Sequence, residues 1–201
     1  AWISQRLRKH TENQPLYIVG YSIGGNALLK WLGESGATMA DAAVAVSVPY
    51  RLGECAKRLE SGFSRRYEKH LLKSLKSTAL EKARRFDLGL SASEIRRLDS
   101  FYAFDDAVTA PLHGYNGVED YYRRASAWQW LKGIQIPTLL IHALDDPFMF
   151  PSTVPSTNDL NDHVTLELSD HGGHVGFISA NKQQRYWLES RIPCWLHEQG
   201  G

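Results

Sequence analysis

The chain has 201 residues, 43% of them hydrophobic and 22% charged, which is enough for one domain with a real core and ordinary for a globular protein. A formal net charge of +1 sets up no field that would favour nucleic acid or acidic lipid as a partner. Two cysteines, Cys55 and Cys194, make neither a metal spacing nor a disulfide framework and fit a reducing, cytoplasmic setting, and no apolar run approaches the roughly 20 residues that cross a bilayer.

The opening stretch "AWISQRLRKHTENQP" lacks the apolar centre of a signal peptide. Residues 1–12, with Ile3 and Leu7 at i, i+4, read as the tail of a helix that began upstream, and Asn13-Gln14-Pro15 ends it. Residues 16–20, apolar, β-branched and bounded by Pro and Gly, predict a short buried strand. Residues 27–32 continue a helix that stops near Gly33 or Gly36. The run "DAAVAVSV" at 41–48 suits a parallel strand buried on both faces, closed by Pro49.

Residues 51–128 change character: they are rich in Arg, Lys, Glu and Leu, and Phe63, Tyr67, Leu71 and Leu75 recur every four positions. Ser91-Ala92-Ser93-Glu94 is a capping-box pattern. The segment predicts a helical insertion of about 75 residues, longer than an ordinary crossover. Residues 127–132 then read as a short helix, and "PTLLIHA" at 137–143 as a third buried strand. Val164, Leu166 and Leu168 alternate with Thr165, Glu167 and Ser169 in a fourth strand, and residues 183–196 form a last amphipathic helix that Pro193 kinks or restarts. This order predicts an α/β fold with a mainly parallel sheet, whose ligands gather beyond the carboxyl ends of the strands.

The chemistry starts at Gly20-Tyr21-Ser22-Ile23-Gly24, a G-x-S-x-G pattern between a predicted strand and a predicted helix. A nucleophile on such a turn is lifted clear of the sheet, and side chains at the flanking glycine positions would collide with strand and helix. The Ile23 N–H, at the start of the helix, is an expected oxyanion donor. A serine hydroxyl needs a base and an orienting acid. Asp145 and Asp146 directly follow the third strand, and His174 lies in the loop "SDHGGHVGF" after the fourth. The order Ser22, Asp145, His174 is that of a Ser-Asp-His triad on an α/β sheet.

Asp145, the first acid after the strand, is the expected partner of the histidine, and Asp146 is the alternative, otherwise capping the turn into Pro147. His171 is expected to be exposed or to support the site. His163, His171 and His174 with an aspartate could in principle ligate a metal, but H-E-x-x-H and a cysteine set are both lacking, so neither metal nor cofactor is expected. Asp105-Asp106 and His113-Gly114 lie in the insertion, where capping and packing are the expected roles. Tyr115, Tyr121, Tyr122, Trp128 and Trp130 are expected to be core rather than pocket.

Together, "GYSIGGNALLKWLGE", "FDDAVTAPLHGYNGVEDYYRRAS", "IPTLLIHALDDPF" and "DHGGHVGF" resemble the YheT-like α/β-hydrolases, relatives of eukaryotic abhydrolase esterases, phospholipases and ethanol acyltransferase/ethyl-ester hydrolases. The resemblance implies the α/β-hydrolase fold and a cofactor-free serine carboxylesterase acting on small-molecule or lipid acyl esters. It implies a triad on Ser22, Asp145 and His174 and a lid formed by residues 51–128. It also implies several strands before the serine turn and a loop supplying a second oxyanion N–H. Only about fifteen residues precede the first strand here, so the chain is expected to be the C-terminal portion of a longer protein with an exposed sheet edge. Two rivals stand beside the esterase reading. One is a catalytically incomplete fragment acting only with its missing half or a partner chain. The other is lipase or acyltransferase chemistry on the same fold. Membrane-surface docking of the Arg/Lys-rich helical faces is a minor reading, and oligomeric state leaves no trace in the sequence.

Overall fold

Apolar, β-branched runs between Pro and Gly punctuation produce a sheet of four strands, seen in a computed structural model that describes residues 2–10, 14–35, 40–179 and 185–200. The end of the first helix at residues 11–13, the stop at Gly36 and the start of the last helix at residues 183 and 184 lie outside the described residues. Helix α1 (Trp2–His10) is followed by β1 (Tyr17–Tyr21), α2 (Ile23–Ser35) and β2 (Ala42–Val46). After the insertion come β3 (Thr138–Ala143) and β4 (Val164–Ser169). All pairings are parallel, in the order β1-β2-β3-β4, with Tyr21 opposite Val46, Val46 opposite Ile141 and Ala143 opposite Ser169.

Every residue of β2 and β3 is buried, as their unbroken apolar sequences predict for strands covered on both faces. On one face Leu28, Leu29 and Leu32 of α2 pack with Ala43, Ala45 and Leu140. On the other, Val44, Val46, Leu139 and Ile141 meet Leu188, Ile192 and Trp195 of the C-terminal helix (Trp187–Glu198). Each such leucine or isoleucine contributes about 1.5–3 kcal/mol by leaving water. That helix runs on through Pro193 rather than restarting there.

Two strands depart from expectation. The first is expected to be buried, yet among the described residues β1 pairs with β2 alone and only its Gly20 is buried. In β4 the alternation fails at Leu168, which is half exposed, while Glu167 on the other phase is held by Arg191.

Residues 51–125 and 147–149 form a second compact unit. Its helices are α3 (Leu52–Leu59), α4 (Arg65–Lys82), α5 (Ala92–Arg97), α6 (Phe101–Phe104), α7 (Ala110–Leu112) and α8 (Val118–Ala125), and the C-terminal helix of the chain is α9. The capping box opens α5: Glu94 N–H donates to Ser91 Oγ at 3.2 Å and Ser91 N–H to Glu94 Oε2 at 2.7 Å. Phe63, Tyr67, Leu71 and Leu75 mark the helical period but are all exposed, whereas α4 buries Glu68, Leu72 and Ala79. Glu68 accepts the Phe101 N–H, and burial raises its carboxyl above the usual range.

The insertion ends at 125 rather than 128 because Asn26 draws the following residues onto the sheet. Its Oδ1 accepts the Ala127 N–H at 2.8 Å, and the Trp128 N–H reaches Tyr50 O. The expected helix at 127–132 is a tighter 3₁₀ turn, Trp128–Gly133, whose Gly133 abuts Gly33. Asn26 is buried, so Asn26→Ala leaves a buried N–H without this acceptor. Urea unfolding is expected to show a loss of about 1–3 kcal/mol; an unchanged midpoint would show that the bond does not tie this segment down.

Candidate active site

Ser22 follows β1 directly and precedes α2. Its N–H donates to Val46 O at 2.9 Å, extending the β1–β2 ladder, and its carbonyl accepts the Asn26 N–H at 3.1 Å, starting the helix. To serve both elements its backbone adopts φ +50°, a region that costs a side-chain-bearing residue on the order of 1–2 kcal/mol. The helix can turn back this sharply because of Gly20 and Gly25. A Cβ at Gly20 would sit 2.8 Å from Gly25 Cα, and one at Gly25 2.7 Å from Val48 Cγ2. Gly24, the second glycine of the pattern, faces open space, so the expected steric demand falls on Gly25 instead.

His174 Nε2 lies 2.9 Å from Ser22 Oγ, and His174 Nδ1 lies 2.8 Å from Asp146 Oδ2. With the carboxylate accepting from Nδ1–H, Nε2 is the acceptor for the serine hydroxyl. The Asp146 side chain is 1% exposed and that of His174 14%, so the pair is shielded from bulk water while Ser22 stays reachable. The loop carrying His174 turns through Gly173 at φ +60° and packs so close that a Cβ on Gly172 would meet Ala143 Cβ at 2.9 Å.

The structure corrects the acid. Asp145 does not reach His174; its Oδ1 accepts the N–H groups of Gly172 (3.0 Å) and Gly173 (2.8 Å), and its Oδ2 lies 3.4 Å from His171 Nδ1. These donors, Gly173 foremost, hold its carboxyl below the usual range. The cause is the turn after β3. Asp146 N–H folds back onto Ala143 O, which sends Asp145 outward to the loop backbone and Asp146 inward beneath the histidine. The two adjacent acids thus divide the work: one ties the loop, the other meets His174.

Ile23 is the first residue of α2, so no carbonyl one helical turn earlier accepts its N–H, and this group stands beside Ser22 at the positive end of the helix dipole. His171 is exposed. Among the described residues no group of three His, Cys, Asp or Glu side chains is placed to hold a metal ion.

The remaining candidates of the helical unit are tied within it, and the two tryptophans pack on the sheet side. Asp106 Oδ1 accepts the N–H of Val118, the first residue of α8, and Asp105 accepts the hydroxyls of Thr109 and Tyr122. Burial raises the Asp105 carboxyl. Tyr115, Tyr121 and Tyr122 pack on one another, Trp128 packs against the sheet core, and Lys30 lies over Trp130. His113 is exposed, and Gly114 takes φ +71° in the turn after α7. Sequence reasoning missed Ser47, Tyr50 and His142, three fully buried polar residues at the carboxyl ends of β2 and β3. Ser47 and His142 lie within apolar runs that read simply as strand, and Tyr50 follows Pro49, which closes the first of them.

Residues 1–180 match the family of the alpha/beta hydrolase fold. "Putative esterase YheT" of Escherichia coli K12 is 42% identical over 98% of this chain, and "Monoacylglycerol lipase" of Saccharomyces cerevisiae is 28% identical over 91% of it. The chain spans 59% and 42% of the lengths of these two relatives. An esterase of Pyrococcus furiosus superposes with a TM-score of 0.54 at 15% identity, over 99% of this chain and 60% of that one, a likeness of fold.

The hydrogen bonds rank the two aspartates by their effect on Ser22. In Asp146→Asn, labelling of Ser22 by a fluorophosphonate is expected to slow by about 10³–10⁴, and in Asp145→Asn by less than about tenfold. The reverse ranking, read from labelling rates, would return the role to Asp145.

Proposed function

The chain belongs to the α/β-hydrolase family, and on that premise we propose that it is a serine ester hydrolase with Ser22 as nucleophile, His174 as base and Asp146 as orienting acid. The observation that carries the reading is the continuous hydrogen-bonded line from Ser22 Oγ through both ring nitrogens of His174 to the buried Asp146.

The proposed cycle follows from that line. Ser22 Oγ attacks the ester carbonyl carbon while its proton passes to His174 Nε2. Asp146 holds the imidazolium so formed. The negative charge that develops on the former carbonyl oxygen faces the Ile23 N–H and the positive end of α2. Collapse of this intermediate breaks the ester bond, and the departing alkoxide takes the proton from Nε2, leaving an acylated Ser22. A water then loses its proton to Nε2 as it attacks the acyl carbon. The second collapse returns that proton to Ser22 and releases the carboxylic acid. An alcohol in place of that water would give acyl transfer by the same steps.

The relatives named as an esterase and a monoacylglycerol lipase support carboxylic acyl esters as the substrate class. Hydrolysis of p-nitrophenyl butyrate tests the reading. Ser22→Ala is expected to lower kcat by at least about 10⁴ with the fold intact; turnover equal to wild type would remove Ser22 from the mechanism.

A further inference from the structure

The net charge of +1 averages over an uneven distribution. Residues 65–85, which are α4 and the turn after it, hold eight of the chain's 23 Lys and Arg but only two of its 22 acids, Glu68 and Glu81. Glu68 is buried. Lys76 is tied, its Nζ donating to Arg96 O at 3.0 Å and to Leu98 O at 2.8 Å. Arg65, Arg66, Lys69 and Lys73 are exposed, and none of them makes an ion pair among the described residues.

The same helix exposes apolar surface. Phe63 is 64% exposed and Tyr67, Leu71 and Leu75 are 38–39% exposed; spaced by four, they form a row along α4. At its start the rings cluster, Phe63 with Tyr67 at 5.8 Å and Tyr67 with Phe148 at 5.0 Å between centroids, and the Arg66 guanidinium lies 5.2 Å over Phe63. Past the other end of α4, Phe86 is 66% exposed and directly follows Arg84 and Arg85. On the helical period Glu68, Leu72 and Ala79, the buried face, adjoin the row, and Lys69 and Lys73 lie on its far side. The helix therefore has three sectors: one covered by its own unit, one apolar and open, one cationic.

An open apolar row rimmed by unpaired cations calls for a partner. A second copy fits poorly, because apposing two such helices would bring their uncompensated Lys and Arg together. An anionic lipid surface meets both sectors at once: its acyl boundary takes the row, and its phosphate headgroups take the Lys and Arg, whose apolar stems reach past the row. Among the described residues no helix is long and apolar enough to cross a membrane. We propose that α4, with the turns at its two ends, is a docking surface for an anionic lipid bilayer and lies along it. The inference does not depend on the assignment of Ser22.

The test is co-sedimentation of the whole chain with vesicles of phosphatidylcholine alone and of an equal mixture of phosphatidylcholine and phosphatidylglycerol, with folding followed by circular dichroism and thermal unfolding. Wild type is expected to bind the mixed vesicles and not the neutral ones, and added salt weakens that binding. Lys69→Gln/Lys73→Gln is expected to lower the affinity about 10–30-fold, each cation being worth about fivefold near an anionic surface. Phe63→Ser/Leu71→Gln is expected to lower it at least about tenfold. Equal binding of folded wild type to both kinds of vesicle, or to neither, overturns the inference without any variant. Binding that either double substitution leaves unchanged overturns it as well: unchanged in the lysine pair, the cations are not the contact, and unchanged in the other pair, the row is not. Self-association that Phe63→Ser/Leu71→Gln disperses, with no vesicle binding, would give the row to a second copy and overturn it too.

Discussion

The backbone of α2 comes so close to β1 that only hydrogen atoms fit at Gly20 and Gly25. The rest of the site depends on this approach. It lets the helix begin one residue after Ser22, so Ser22 N–H can still bond β2 while its carbonyl already belongs to the helix. The left-handed backbone that results aims Oγ away from the sheet and leaves the Ile23 N–H at an open helix end. The ladder bond, the helix bond and the buried leucines of α2 together hold a conformation that an isolated serine would avoid.

The other two members of the line arrive by the same rule of the parallel sheet, from the turns after β3 and β4. What joins those turns is Asp145. By accepting two N–H groups of the His174 loop, it fixes the loop against the end of β3 and so sets the ring against Ser22 Oγ. It is a loop anchor, exposed and firmly ionised, beside a buried acid that meets the ring.

Much of this was legible in the sequence, because strand cores, turn residues and the order serine, acid, histidine are local or sequential signals. At four points the sequence reading missed or stopped short for reasons of tertiary structure. Among the described residues β1 lies at the sheet edge and is exposed, as the family resemblance implies, although the run "LYIVG" by itself reads as buried. Asp145 and Asp146 differ by one residue in a turn, and only the Asp146–Ala143 bond decides which faces inward. The apolar period of α4 identifies a helix but does not say which side is covered, and there the buried face carries Glu68. The glycine that matters for close packing is Gly25 rather than the motif's Gly24, because contact is set by the neighbour Val48. His142 was hidden for a further reason: a polar residue inside an apolar strand gives no periodic signal.

The central claim is that Ser22 attacks and becomes acylated. Rapid mixing with p-nitrophenyl acetate, followed by quenching and peptide mass analysis, tests it most directly. The account predicts a burst of close to one equivalent of p-nitrophenol and an acetyl group on the peptide that contains Ser22. Product formation with no burst and no adduct on that peptide, in a preparation that hydrolyses the ester, would contradict it.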